Sequence, residues 1–474
     1  MFIEGTIIIK LKRLVVVVVS ILILALSYMQ TASYGNVRST RGGEPKLLNS
    51  NPSQTVYSAS TTSSGVIQLW NFTIVNGSPF SSPAFSDGYL YVAASATYGY
   101  AYCLNASTGA QIWNYTLGDT GGSSATFSPV VAGGYVYVGA SIVTQTQVSG
   151  ITYCLNALTG AQIWNYTYES AMVLSPALAN GYIYIVSGYP SHGNVYALNA
   201  STRSPIWNYT TGSYIYSSPA VANNVVYVGA GSTVFALDAF KGAQIWNYTT
   251  GSSVGAPAVA NGLVYIGSGN LVYALDASTG TEKWNTTTQG TARGSSPAIA
   301  NGDVYVSSND SVYCFDASTG SQIWNYTTGG ETSSPVISGG NVYLGSNDLN
   351  VYCINASTGG KIWNYTTLVG PLFPGLGSIT YGPVLSYSPA VANGIVYVSL
   401  SAMALTSTAG RDNIYVGLIY ALEPSTAVTP SPSPSSPPVA LSDLQLTVIL
   451  TVVAIIILTT LFLVYRARRK EVKG

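Results

Sequence analysis

From residue 65 to residue 423 the chain alternates apolar and polar positions in short runs, broken by Asn-Gly and Ser-Thr-Gly turns. One copy, residues 256–284, reads APAVANGLVYIGSGNLVYALDASTGTEKW. Pro257 opens its first strand, where a missing N–H does least harm. Asn261-Gly262 is a two-residue hairpin signal. LVYIG alternates as a second strand, LVYALD makes a third and TEKWN a fourth. Between the last two, Asp276 to Gly280 turns the chain, with Gly280 available for positive φ. Four antiparallel strands joined by short turns make one propeller blade.

The pattern recurs. All eight tryptophans belong to its fourth strand: Trp70, Trp113, Trp164, Trp207, Trp246, Trp284, Trp324 and Trp363, spaced 38 to 51 residues apart. Such periods with strand-like content mean blades. A flat indole at one site per blade fills the wedge between neighbours, so these eight residues are the expected blade-docking set. The opening strand recurs near Pro83, Pro129, Pro176, Pro219, Pro257, Pro297, Pro335 and Pro389. Trp70 precedes the first opening, and the last, ending at Ala421 to Thr426, has no Trp strand after it. The simplest arrangement is an all-β, eight-bladed propeller over residues 65–423, closed by its N-terminal Trp strand.

Hydropathy outside the repeat adds two segments. Residues 1–35 carry Lys10, Lys12 and Arg13, then an apolar run from Leu14 to Leu26 and a small-residue exit. They read as a signal peptide or N-terminal anchor. Residues 36–64 form an extended leader. After the propeller, 424–443 is a Pro/Ser-rich stalk, semi-rigid and extended. Residues 444–465 are uncharged and long enough for a transmembrane helix. The basic tail 466–474 then faces the cytoplasm by the positive-inside rule, which puts the propeller outside the cell on a single C-terminal span.

Charge changes the picture further. Lys and Arg total 17, Asp and Glu 17, only 7% of residues in all. A neutral surface argues against nucleic acid as a partner. Cys103, Cys154, Cys314 and Cys353 each follow a Tyr, at positions where other copies have Ala. They read as small buried residues, too far apart on separate blades for disulfides. His192 is the only histidine, in a loop, and no cluster has zinc spacing. No catalytic, metal or cofactor residue is assigned.

Ala274-Leu-Asp276-Ala-Ser-Thr279-Gly280-Thr-Glu-Lys-Trp284 fits AxDxxTGxxxW and resembles the PQQ-like (quinoprotein-type) propeller repeat. Departures are Asn at 105, 156, 199 and 355, Arg203 in place of Gly, and Lys241 in place of Thr. The resemblance implies an eight-bladed fold with Trp docked between blades. In the family's dehydrogenases a central Trp and calcium ligands hold pyrroloquinoline quinone; its binding and scaffolding members lack a cofactor. Here every Trp is already committed to docking. Asp238, Asp276 and Asp316 sit at the motif's turn, where an Asx-type cap is the simplest role. The chain therefore resembles the cofactor-free members more.

Each Trp is followed by Asn-x-Thr, giving Asn71, Asn114, Asn165, Asn208, Asn247, Asn285, Asn325 and Asn364 as glycosylation candidates. Glycans would supply the solubility that charge does not. Between the second and third strands, Ser95 to Gly99, Ser141 to Gly150, Ser187 to Gly193 and Ser399 to Asn413 are long, and the connection from Leu368 to Tyr387 enters the last blade on the same face. Long loops on a rigid scaffold are where binding sits. Tyr98, Tyr189, Phe373 and Tyr381 are the candidate contacts for a protein or glycan partner. The expected function is a non-enzymatic, membrane-anchored surface module for binding or scaffolding. The alternatives are a PQQ- and calcium-dependent dehydrogenase and a carbohydrate-binding adhesive protein. Signal, sequon load and C-terminal anchor together suit an archaeal surface protein.

Overall fold

The computed structural model describes residues 56–58 and 65–424 apart from short internal stretches, the longest being 368–379 and 406–413. The N-terminal signal or anchor, most of the leader, the stalk beyond Pro424, the proposed membrane helix and the basic tail lie outside the described residues.

Eight antiparallel blades of four strands succeed one another. In blade four the strands are Ala220–Ala222, Val225–Ala230, Thr233–Asp238 and Gln244–Thr249, hydrogen-bonded in that order. The three-residue first strands touch their neighbours around a closed cycle, and Ala390–Ala392 of blade eight meets Ala84–Ser86 of blade one. The hairpin joining first and second strands needs positive φ at both central residues. Asn261 (51°) and Gly262 (76°) supply it in blade five, as the type I′ turn requires.

In blade eight the strands Ala390–Ala392, Ile395–Leu405 and Ile414–Pro424 are followed by Val66–Val75 from the other end of the repeat region. That strand pairs antiparallel with Ile414–Pro424, setting Val66 opposite Pro424 and Trp70 opposite Ala421. Val56–Ser58 pairs on its outer side, with Tyr57 opposite Asn71.

The core lies between blades. Tyr227, Val234, Ala236 and Trp246 of blade four pack with Val264, Ile266, Tyr273 and Leu275 of blade five. Trp70, Phe72, Ile419 and Tyr397 of blade eight pack with Leu90, Val92 and Leu104 of blade one. Each fully buried Val, Leu, Ile or Phe contributes about 1.5–3 kcal/mol, so every interface is a substantial hydrophobic joint.

One expectation about loops is corrected. Residues 141–143 and 148–150 continue the blade-two hairpin as strands, with Ser141 opposite Gly150 and Val143 opposite Val148. In blade eight Ser401 to Ala404 likewise pair with Gly417 to Ile414. The inserted residues are rich in β-branched and apolar types, which extend a ladder more readily than they form a loop. Connecting segments join the extensions: Ser123–Thr126 pairs with the blade-two arm, and Gly77–Pro79 bridges blade one to blade eight. Blades one, two and eight therefore carry second strands of 8, 9 and 11 residues, against six in blade four.

Candidate functional site

Each Trp projects from an outermost strand toward the next blade. Trp246 Nε1 donates to the Ala277 carbonyl at 2.9 Å, and Tyr227 Oη donates to the same oxygen at 3.1 Å. Trp284 and Tyr265 do the same to Ala317, and Trp324 and Tyr305 to Ala356. Trp113, Trp164 and Trp207 donate to the carbonyls of Ala157, Ala200 and Ala239. Trp363 is buried against Tyr343 and blade eight. Two donors on one carbonyl use both its lone pairs, so the buried polar atoms are satisfied while the rings fill the wedge. Nearer the rim, Tyr209 and Tyr365 donate at 2.6 Å to Gln244 and Gln68 on the following blades.

The turn after the third strand seats this joint. Asp276 Oδ1 accepts from the backbone N–H groups of Ser278 and Thr279, both at 3.0 Å, and Lys283 lies 3.2 Å from its other oxygen. Asp316 accepts from Ser318 and Thr319 in the same way, and Asn105, Asn156, Asn199 and Asn355 repeat the pattern. Hydrogen bonds from Ser318 and Thr319 hold the Asp316 carboxyl down to about 2. These acids are spent on turns. Gly280, with φ of 73°, brings its backbone so close that a Cβ there would lie 2.6 Å from Trp246. Arg203 takes the equivalent position with φ of 64°, its guanidinium donating to the Asn165 carbonyl at 3.0 Å.

All four cysteines are buried and free. Burial pushes the thiols of Cys103, Cys314 and Cys353 up to about 12 and that of Cys154 to about 11. They are therefore protonated and inert near neutrality. Among the described residues no group of three or more His, Cys, Asp or Glu is placed to hold a metal ion. All eight Trp lie in interblade packing, which leaves none to stack beneath a quinone at the axis. The residues do not fit pyrroloquinoline quinone held in the dehydrogenase manner.

Of the four partner-contact candidates, Tyr98, Tyr189 and Phe373 lie outside the described residues, as does His192. Tyr381 falls in a two-residue strand pairing with Ile395–Leu405, opposite Ala404. A pair that sequence reasoning missed lies on the connection from blade three to blade four. Tyr214 and Tyr216 are 43% and 61% exposed, with ring centroids 6.2 Å apart. Ile215 between them is buried and bridges to Ala230, which pins the connection beside the second–third turn of blade four. The next connection has Ser253 and Gly255 around Val254 instead. Two aromatics flanking an apolar residue, where another copy has small residues, were the available signal.

The sequon asparagines separate by position. Asn114, Asn208, Asn247, Asn285 and Asn325 are exposed, and Asn165 and Asn364 are half-buried. Asn71 is buried, on a strand whose outer edge pairs with Val56–Ser58.

A family model described as outer membrane protein assembly factor BamB matches residues 54–152, 148–365 and 231–413. The chain belongs to this family. No curated protein matches it. Among solved structures, BamB from Moraxella catarrhalis is similar at 19% identity and a TM-score of 0.52, over 77% of this chain and 97% of that one. The computationally designed Ika8 protein is similar at 15% identity and a TM-score of 0.56, over 72% and 96% of the two chains. Quinohemoprotein alcohol dehydrogenase from Comamonas testosteroni gives 15% and 0.58, over 79% of each. One architecture thus serves an assembly factor, a designed protein and an enzyme, and these likenesses fix the fold alone. What this BamB-family chain does must rest on its own surface.

Proposed function

We propose that this chain is a membrane-anchored, extracytoplasmic scaffold propeller that binds an envelope protein partner through the face carrying the between-blade connections. The N-terminal Trp strand closes the ring, a C-terminal span tethers it and N-glycans coat it. The observation that carries the reading is the exposed Tyr214–Tyr216 pair, pinned by buried Ile215. Tyr is a favoured interface anchor because it offers a large, amphipathic surface with few rotamers to freeze. The assembly-factor description of the family supports a protein partner. The lengthened strands of blades one, two and eight add rigid relief at the ends of their second–third hairpins.

Photo-crosslinkers placed at 214 and 216 in the full-length protein, in its native membrane, test the partner site. A discrete crosslinked protein from both positions, absent when the crosslinker stands at the rim residue Ile323, is expected. Crosslinks from Ile323 alone would move the site elsewhere. Cleavage of the propeller by protease added to intact cells tests the topology, and full protection would refute it.

A further inference from the structure

The outermost strand of a blade is a free edge. Among the described residues nothing pairs beyond Gln111–Leu117, Pro205–Thr210, Gln244–Thr249 or Gln322–Thr327. Three begin QIWNYT, and that of blade three reads PIWNYT; all are uncharged and rich in β-formers, and apart from Pro205 this is the composition of segments that stack edge to edge. At the register shift beside the Trp an apolar side chain is left exposed on this edge. Leu237 faces Gln244 and Ala236 faces Trp246, so Ile245 between them is unpaired, and it is 49% exposed. Ile112, Ile206 and Ile323 are 43–48% exposed in the same way.

Two blades solve the problem with their own chain. In blade five Lys283 replaces the Ile, and a lysine on an edge strand opposes pairing. In blade eight Val56–Ser58 covers the edge, and there the sequon residue Asn71 is buried. Blades two and seven expose Ile163 and Ile362 to 49% and 50%, with one charged residue at an end of the edge strand, Glu169 and Lys361 respectively. In blades one, three, four and six the described chain supplies neither a charge on the strand nor a covering strand. Their sequon residues, two positions beyond the exposed Ile, are Asn114, Asn208, Asn247 and Asn325, and all four are exposed.

We infer that N-linked glycans on Asn114, Asn208, Asn247 and Asn325 cap these four edges and keep the propellers from pairing with one another, while Asn71 is left unmodified. The inference rests on the extracytoplasmic, glycosylated reading above and assigns it sites and a role. The donor is a polyprenyl-phosphate-linked oligosaccharide. The Asn Nδ2 forms a bond to the sugar C1 as the C1–O bond to phosphate breaks, the amide loses one proton and the lipid phosphate leaves with the electron pair. No oxidation or reduction is involved. The Asn71 side chain is buried, so a sugar there would have to move its surroundings.

Glycopeptide mass spectrometry on protein purified from its native membranes is the first test. Sugar at the four exposed asparagines and none at Asn71 is expected. Light scattering of detergent-solubilised full-length protein is the second. The variant with Asn114, Asn208, Asn247 and Asn325 each changed to Gln should shift from monomer to higher mass at a concentration where the native protein stays monomeric. Adding Ile112→Lys, Ile206→Lys, Ile245→Lys and Ile323→Lys should restore the monomer, which a merely misfolded variant would not do. Sugar on Asn71 but not on the four, or a monomeric Gln variant, overturns the inference. Absence of sugar at every sequon overturns the glycosylated reading beneath it as well.

Discussion

Trp70 Nε1 and Tyr397 Oη donate to one atom, the carbonyl oxygen of Ala106, at 2.9 and 3.3 Å. Tyr397 lies on the second strand of blade eight and Trp70 on the strand brought from the other end of the repeat region. The geometry matches the Trp246–Tyr227 pair on Ala277, where both donors come from one continuous blade. The interface between blades eight and one is thus built like the others, without covalent continuity through blade eight.

Trp70→Ala should therefore cost as much as loss of any docked indole. Removing a buried Trp costs about 3–5 kcal/mol. Trp324→Ala should fall in the same range, and Trp207→Ala below it, because Trp207 is only half-buried. Denaturant midpoints of the three variants check the order.

Gly280→Ala should destabilise by roughly 2–4 kcal/mol. A left-handed backbone costs an L-residue about 1–2 kcal/mol, and the new methyl would meet Trp246 at 2.6 Å. Arg203→Gly runs the other way. It removes a left-handed Arg at φ of 64° and should gain up to about 1 kcal/mol. Thermal melts of the pair show whether the turn or the side chain governs.

Acid should weaken the turns. The Asp316 carboxyl titrates at about 2 in the fold, and Asp276 is also held well below the ordinary carboxylate range by Ser278 and Lys283. The unfolded chain then binds protons more tightly than the folded one. The stabilisation is whole above the unfolded value of about 4 and is lost as pH falls toward 2. Asp316→Asn should flatten that part of the stability–pH curve.

Alkali should act on the thiols in the opposite sense. Folded values of about 11 to 12 lie above the unfolded value, near 8.5. Stability is full below that value and falls as pH rises through it toward the folded values. At pH 8 a thiol reagent should label none of the four cysteines in the native protein and all four in denaturant.

Much of the fold was legible because Trp, Asn-Gly and Asp-x-x-Thr-Gly each mark a fixed place in a blade. What escaped had no such mark. Asn71 has the same Asn-x-Thr context as Asn247, yet it is buried, on a strand whose edge pairs with Val56–Ser58, and that tripeptide carries no repeat signature. Ser141 to Gly150 reads as a long loop by its distance from the motif, and only cross-strand pairing reveals residues 141–143 and 148–150 as part of a ladder. Tyr214 and Tyr216 lie on a connection whose length is ordinary, so a search keyed to long loops passed over them.

The pairing of Val66 with Pro424 also decides how the molecule bears tension. The strand Ile414–Pro424 is the last described element of the propeller, and it is flanked by Ile395–Leu405 on one side and Val66–Val75 on the other. A pull on the chain beyond Pro424 along that strand loads two ladders in shear, instead of peeling a lone margin one bond at a time. Without the N-terminal strand the same pull would unzip blade eight from its outside. The pairing of the first and last strands of the repeat region makes this end of the propeller a mechanical clamp.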